Sequence, residues 1–239
     1  MCKTILVTGA SSGIGRAIAI ACAAKGMTVV LNGRNVARLE ETRAQMTGEG
    51  HLIIPADLTD EAQRCTLAEQ VPVLNGVVHC AGVGSRVLCK MLEQDDVQHV
   101  MDANFTAPVM LQAALLQAKK VAAGGSVVFI ASAAATMPSV GNAIYSASKG
   151  ALISYAKCLA LELAPRKIRV NCISPAMVWT NLALVGATED ELKEAETAYP
   201  LHRYGQPEDI APLAVYLLSN ASQWMTGSNM EITGGALTL

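Results

Sequence analysis

Asn104, Ser132, Tyr145 and Lys149 have the types and spacing needed to reduce a carbonyl. A carbonyl that accepts hydride gains negative charge, so it needs a proton donor and a hydrogen bond to its oxygen. Tyr145 supplies a phenol, and Lys149, four residues on, shares its face on one helix. An ammonium beside a phenol is expected to favour phenolate and lower its pKa from about 10. Ser132 ends the apolar run SVVFIAS, where a strand would deliver its hydroxyl to the rim of a sheet. An amide at Asn104, in MDANFTAP, could hold a water that passes protons to Lys149. Each residue also has a plain structural reading: a surface Tyr-x-x-x-Lys pair, a strand terminator, a packed polar amide. Their joint order behind a glycine-rich turn makes coincidence the minor reading.

That turn, TGASSGIG, follows the first apolar run. Gly9, Gly13 and Gly15 would let the backbone approach a pyrophosphate, whose charge meets a helix N-terminus. The second run ends VVLNGRN, where an NAD site would place Asp or Glu against the ribose hydroxyls. Asn32, Gly33 and Arg34 stand there instead, and a guanidinium pairs with a 2′-phosphate. NADPH is therefore expected over NADH, against the alternative that Arg34 is a solvated surface charge. Asp57 could hydrogen-bond adenine, cap the following helix or serve as a turn residue. Arg16 is expected on a helix surface.

The elements that must position these groups alternate from end to end. Strands are expected at residues 4–8, 27–32, 51–56, 75–80, 126–132, 167–174 and 230–233. Helices are expected at about 13–25 and 35–46, after Thr59, at about 95–119, from Tyr145 to near Pro165, and from near Pro207. Such alternation implies a single α/β domain over residues 1–239, a Rossmann fold whose doubly wound parallel sheet has about seven strands flanked by helices. Ligands in such folds bind at the carboxyl ends of the strands, where every motif above falls. Residues 177–205 break the alternation and are expected to form a substrate lid.

Composition narrows the classes further. The chain has 239 residues, is 51% hydrophobic and 16% charged, and carries a formal charge of −2. A mean hydropathy of +0.33 suits a sheet buried on both faces. With a pI near 6.1 there is no electrostatic case for nucleic acid, and no apolar run approaches the ~20 residues of a membrane span. A first strand starting at about Lys3 leaves no signal peptide expected. Seven scattered cysteines (Cys2, Cys22, Cys65, Cys80, Cys89, Cys158, Cys172) form no CxxC pair, so no metal site is expected and a cytoplasmic location is.

Taken together, TGASSGIG, Ser132 with YSASK at 145–149, Asn104, NCISP at 171–175, Thr180, RYGQPEDIA and MTGSNMEITGG resemble the short-chain dehydrogenase/reductase superfamily over essentially the whole chain. The resemblance implies hydride transfer through Tyr145, a ribose-binding Lys149 and a homotetramer. It also implies cofactor contacts at Gly9, Ser11, Ser12, Gly13, Ile14, Gly15, Arg34, Asp57, Leu58, Ala81, Gly82, Tyr145, Lys149, Pro175 and Thr180. The chain departs from the family pattern at His79 and Cys80, where two Asn are usual, and at Ala176 in place of Gly. Within the superfamily it is most similar to 3-oxoacyl-[acyl-carrier-protein] reductases. Carrier proteins are acidic, yet TEDELKEAE is itself net acidic; Arg86, Lys90, Lys119 and Lys120 could supply charge elsewhere, with Lys119 and Lys120 reading equally as a solvated helix end. Leu182, Leu184 and Val185 give the lid an apolar face that suits an acyl chain, a steroid or another apolar carbonyl compound, or that packs the lid shut. An alcohol, polyol, sugar or steroid dehydrogenase is the first alternative, and a non-enzymatic NADPH sensor or scaffold is the second.

Overall fold

A computed structural model describes residues 3–186 and 188–236; Cys2 lies outside them, as does Ala187 within the 177–205 segment. Seven parallel strands form one sheet in the order β3-β2-β1-β4-β5-β6-β7. They are β1 (Thr4–Val7), β2 (Thr28–Leu31), β3 (Leu52–Ile53), β4 (Leu74–His79), β5 (Val121–Ile130), β6 (Arg169–Pro175) and β7 (Asn229–Ile232). The chain order reverses between β1 and β4, which opens a crevice above their carboxyl ends.

Alternation along each strand supplies both faces of the sheet. Ile5, Val7, Val29, Val78 and Val128 point to one side, where α1 (Gly13–Ala24), α2 (Val36–Ala44) and α8 (Pro207–Leu218) contribute Ile18, Leu39, Ile210 and Leu217 to the same core. Leu6, Val30, Val77, Val127 and Phe129 point to the other. There they meet Leu67 of α3 (Glu61–Gln70), Leu111 and Leu115 of α5 (Ala107–Gln117), and Leu152 and Leu159 of α6 (Ala143–Leu163). This two-sided burial is why the strands read as continuous apolar runs.

Three boundaries differ from the expected ones. β3 is two residues long, because Pro55 lacks an N–H and ends the pairing early. β5 begins at Val121, and its register against β4 shifts near Gly124, whose φ of +75° admits the irregularity. The expected helix at 95–119 is α4 (Gln94–Met101), a π-helical turn over Asp102–Thr106, and α5. Pro108 has no N–H to offer the Asn104 carbonyl four residues back, and the ladder widens to i+5, with Ala107 N–H donating to Asp102 O.

Residues 177–205 leave and rejoin the fold on one parallel bridge, with Trp179 N–H donating to Gly205 O and Gly205 N–H to Met177 O. Between them lies α7 (Glu189–Glu196), opened by a Thr188–Glu191 capping box. Glu196 closes the loop by accepting from the Trp179 indole (2.8 Å) and from Tyr204 N–H (3.2 Å). Among the described residues no helix is long and apolar enough to cross a membrane.

His79, at the end of β4, stacks on Phe129 with centroids 4.6 Å apart and contacts the Gln112 Oε1 at 3.0 Å. Burial pushes its pKa from 6.5 down to about 4, partly opposed by that hydrogen bond. Between those values the unfolded chain binds a proton that the native state refuses, so stability rises with pH there. The contribution is complete above about pH 6.5 and is lost as pH falls toward 4, on the order of 2–3 kcal/mol in all. His79→Gln should flatten the stability curve between pH 6.5 and 4 in denaturant titrations; parallel curves for the two proteins would refute this.

Candidate active site

Position in the fold brings the four candidate residues to the crevice rim. Lys149 is buried on α6 and donates from Nζ to the carbonyl of Ile130 at 2.9 Å. Ile130 ends β5, and Ser132 follows two residues later, capping a short 3-10 turn by accepting from Ala134 N–H at 3.1 Å. Tyr145, one turn before Lys149, lies with its ring centroid 5.8 Å from Nζ. Its phenol hydrogen-bonds the Ser132 hydroxyl.

Asn104 sits in the π-turn with both ends of its amide engaged. Nδ2 donates to Val83 O (3.0 Å) and to Ser148 Oγ (3.2 Å), while Oδ1 accepts from Val83 N–H (2.8 Å). Instead of presenting a free amide to a water, this side chain pins the loop after β4 to α6. Ser148 completes the link by donating to Tyr145 O at 2.7 Å.

Electrostatics at the pair differ from expectation. Burial raises the Tyr145 pKa, and the Ser132 hydrogen bond only opposes that rise. Lys149 bears the other half of the same penalty: burial takes it from 10.5 to about 8, with Cys80 and Cys172 pulling the other way. The ammonium faces the Ile130 carbonyl and the phenol ring, so the expected lowering of the phenol is not present.

The glycine turn joins the same crevice. Gly9, at φ +66°, lies so close to Ala81 that a Cβ would sit 2.9 Å from its backbone. A Cβ on Gly15 would overlap the Gly9 carbonyl, and one on Gly13 would meet Thr180 Cγ2 at 3.1 Å. Ser12 precedes α1 without capping it through its side chain, which leaves first-turn N–H groups facing the crevice. These absences of bulk and of a cap are what a dinucleotide pyrophosphate requires, so the residues present fit one. Thr8 holds the turn in place: its hydroxyl accepts from Cys80 N–H (3.0 Å) and Ala81 N–H (3.2 Å).

At the other end, a Cβ on Gly33 would touch Leu39 Cδ2 at 3.4 Å and the Ser11 hydroxyl at 3.5 Å. Arg34 is 74% exposed and lies 3.7 Å from Asp57. Asp57 is a turn residue, accepting at Oδ1 from Thr59 N–H and Oγ1; the cap of α3 is Asp60. Leu58 packs its side chain into the core, and Ile14 packs against the opposite layer. Gly82 adjoins Asn104 and Lys149, and Pro175 ends β6. Arg16, expected on the surface, braces the turn by donating to Ser11 O (2.7 Å) and Thr42 Oγ1 (3.0 Å). Thr8 and Ser148 lie inside TGASSGIG and YSASK, yet the sequence assigns neither a role; the motif position is the signal that could have found them. Among the described residues no cluster of His, Cys, Asp and Glu could hold a metal ion.

Comparison with known proteins agrees with this geometry. The sequence model of a family described as enoyl-(acyl carrier protein) reductase matches residues 9–236. The 3-oxoacyl-[acyl-carrier-protein] reductase FabG of Rickettsia bellii is 32% identical over 98% of this chain and 97% of its own. Dehydrogenase/reductase SDR family member 4 of Homo sapiens is 32% identical over 98% and 87%. A dehydrogenase/reductase from Sinorhizobium meliloti superposes with a TM-score of 0.92 at 31% identity, covering 100% of this chain and 96% of that one. A variant of actinorhodin polyketide ketoreductase, solved with NADPH, gives 0.90 at 27%, covering 98% and 97%.

Gly15→Ala tests the cradle. The added methyl must push the turn away from α1, at about 1–3 kcal/mol of stability. We expect a lower melting temperature and dinucleotide affinity weakened about tenfold or more by calorimetry. Unchanged affinity in a folded variant would refute the close approach.

Proposed function

The chain belongs to the short-chain dehydrogenase/reductase family of oxidoreductases, and from that membership we propose that it is an NADPH-dependent reductase converting a carbonyl to a secondary alcohol. The observation that carries this reading is the Lys149–Ile130 hydrogen bond, which holds Tyr145 and Ser132 within reach of one substrate oxygen. A bound NADPH supplies the hydride. Gly9, Ser11, Ser12, Gly13, Ile14 and Gly15 would hold its pyrophosphate end, Arg34, Asp57 and Leu58 its adenosine end, and Ala81, Gly82, Tyr145, Lys149, Pro175 and Thr180 its nicotinamide end.

A phenol is protonated at neutral pH, the state a proton donor needs, and burial, which raises the Tyr145 pKa, reinforces it. Ser132 accepts from Ala134 N–H and so keeps its own hydrogen to donate, to the phenol or to the substrate oxygen. Giving its proton to the substrate oxygen leaves Tyr145 as phenolate, and the Lys149 ammonium one helical turn away, its pKa lowered to about 8, offsets that charge. Asn104 acts as a positioning residue for the loop at 82–84.

The substrate class we favour is an apolar 3-oxoacyl thioester or similar ketone. Leu182, Leu184 and Val185 are about two-fifths exposed on the 177–205 segment, which we read as the lid. In α7, Glu189, Asp190, Glu191, Glu194 and Glu196 outnumber Lys193, which supports a free small molecule over an acidic carrier protein. Leu161 on α6 is 78% exposed and Met110 on α5 is 44% exposed, apolar faces that support assembly of a homotetramer.

With NADPH and an acetoacetyl thioester, loss of reduced-nicotinamide absorbance should be rapid. Tyr145→Phe should lower kcat about 10²–10⁴-fold while NADPH affinity stays within about threefold. A variant that keeps most of its activity would refute the acid role. Replacing Gly33 with Asp and Arg34 with Ala should reduce the ratio of NADPH to NADH affinity about tenfold or more. A ratio unmoved by that double substitution would refute the assignment of Arg34.

A further inference from the structure

Four residues carry the loop after β4 from the candidate lysine to the far wall of the crevice. At Gly82 a Cβ would stand 2.9 Å from Asn104 Oδ1 and 3.6 Å from Lys149 Nζ. At Gly84 it would meet Leu182 Cδ1 at 3.3 Å and Val185 Cγ2 at 3.4 Å. Arg86 comes next, and its stem runs between two glycines from other segments. A Cβ on Gly141 would lie 3.3 Å from Arg86 Cγ, and one on Gly186 would lie 3.0 Å from Arg86 Cδ. Both glycines have positive φ, +80° and +76°, so any other residue would be strained there and would also crowd the stem. Val87 N–H donates to Gly141 O at 2.9 Å and fixes the loop against the segment that leads into α6.

The stem is thus held, yet the guanidinium makes no hydrogen bond and no ion pair among the described residues. The neighbouring cations of the 177–205 segment are paired, Lys193 with Glu189 at 2.7 Å and Arg203 with Asp209 at 2.6 Å. Glu191 lies in the field of Arg86, but its Oε2 is already held by Thr188 N–H (2.8 Å) and Thr188 Oγ1 (2.9 Å). Tyr204 is the other titratable group in that field. An exposed guanidinium on a packed stem, two residues after the Gly84 that meets Leu182 and Val185, is suited to one planar anion.

We infer that Arg86 is a specificity-determining residue that anchors the carboxylate end of an apolar substrate whose carbonyl lies at Tyr145. Gly82, which adjoins Lys149, and Arg86 are four residues apart, so their Cα atoms are separated by at most about 14 Å. The inference rests on the reductase reading of the site and adds the substrate's second functional group.

Octanoate and its neutral counterpart octanamide test it, titrated calorimetrically into the 239-residue chain with and without NADPH. Octanoate should bind about tenfold or more tightly than octanamide. In Arg86→Gln the gap should close to about twofold with octanamide affinity unchanged, while Arg86→Lys should keep part of it. Melting curves verify that both variants are folded. Equal affinities in the parent protein, or a gap that survives Arg86→Gln, would overturn the anchor. In turnover, Arg86→Gln should raise KM for a keto acid and spare its methyl ester, with kcat little changed for both. Arg86-dependent octanoate binding in a protein that reduces neither ketone would overturn the reductase reading and leave the anchor standing.

Discussion

A buried ammonium has to find an oxygen, and in this chain the geometry of the crevice follows from where Lys149 finds it. An unpaired charge in the interior costs far more than a lost hydrogen bond, so the position of Nζ is strongly determined. Its acceptor is the carbonyl of Ile130, the last residue of β5. That one contact fixes the rotation of α6 against the sheet. Once α6 is set, Tyr145 must lie one turn toward its N-terminus, over the strand end from which Ser132 emerges. Ser148, next to Lys149 on the same helix, extends the constraint to Asn104 and through it to Val83. Two strand ends, those of β4 and β5, are tied to α6 and to the π-turn of Asn104 within a few side chains.

The sheet contributes a second tie at its point of reversal. β1 and β4 are neighbours there, and the Thr8 hydroxyl accepts both amides that follow β4. Without Thr8, the N–H groups of Cys80 and Ala81 would lose these acceptors just where the backbone turns away from the ladder. Gly9 then approaches Ala81 more closely than any side chain permits, and Gly15 approaches Gly9 in the same way. The glycine turn is therefore packed against the loop of the candidate lysine, and the two ends of the crevice share one rigid floor. Thr180 rests on Gly13, which brings the 177–205 segment into contact with that floor as well.

What the sequence revealed of this arrangement divides along physical lines. Strand cores were legible because two-sided burial demands continuous apolar runs, and Tyr145 and Lys149 because a four-residue spacing has one meaning on a helix. TGASSGIG was legible because glycine is costly wherever it is not needed. Events that depend on tertiary contact were not. Pro108 sits inside a run that reads as uniformly helical, and its effect appears only as a widened turn at Asn104. Arg16 has the pattern of a surface residue, yet it is drawn inward by the Ser11 carbonyl, which only the folded turn presents. Asp57 is a plausible cap by sequence, and the cap that forms, Asp60 three residues on, depends on the backbone angle at which α3 begins. His79 and Gln112 come together across a strand and a helix that no periodicity links.

The electrostatics of Tyr145 and Lys149 are the clearest case of structure reversing a local argument. Proximity along the helix suggests a phenol lowered by an ammonium. Burial acts on both groups at once, and it disfavours the charged form of each: phenolate for Tyr145, ammonium for Lys149. The phenol's pKa therefore rises from 10 while the ammonium's falls from 10.5 to about 8, and near neutral pH the phenol keeps its proton. A protonated phenol beside a serine hydroxyl can give a proton to an oxygen that is gaining charge, and it cannot take one from an alcohol until it has been ionised. The same burial that fixes the geometry thus also sets the protonation of the pair, a neutral phenol one helical turn from an ammonium whose pKa is lowered to about 8.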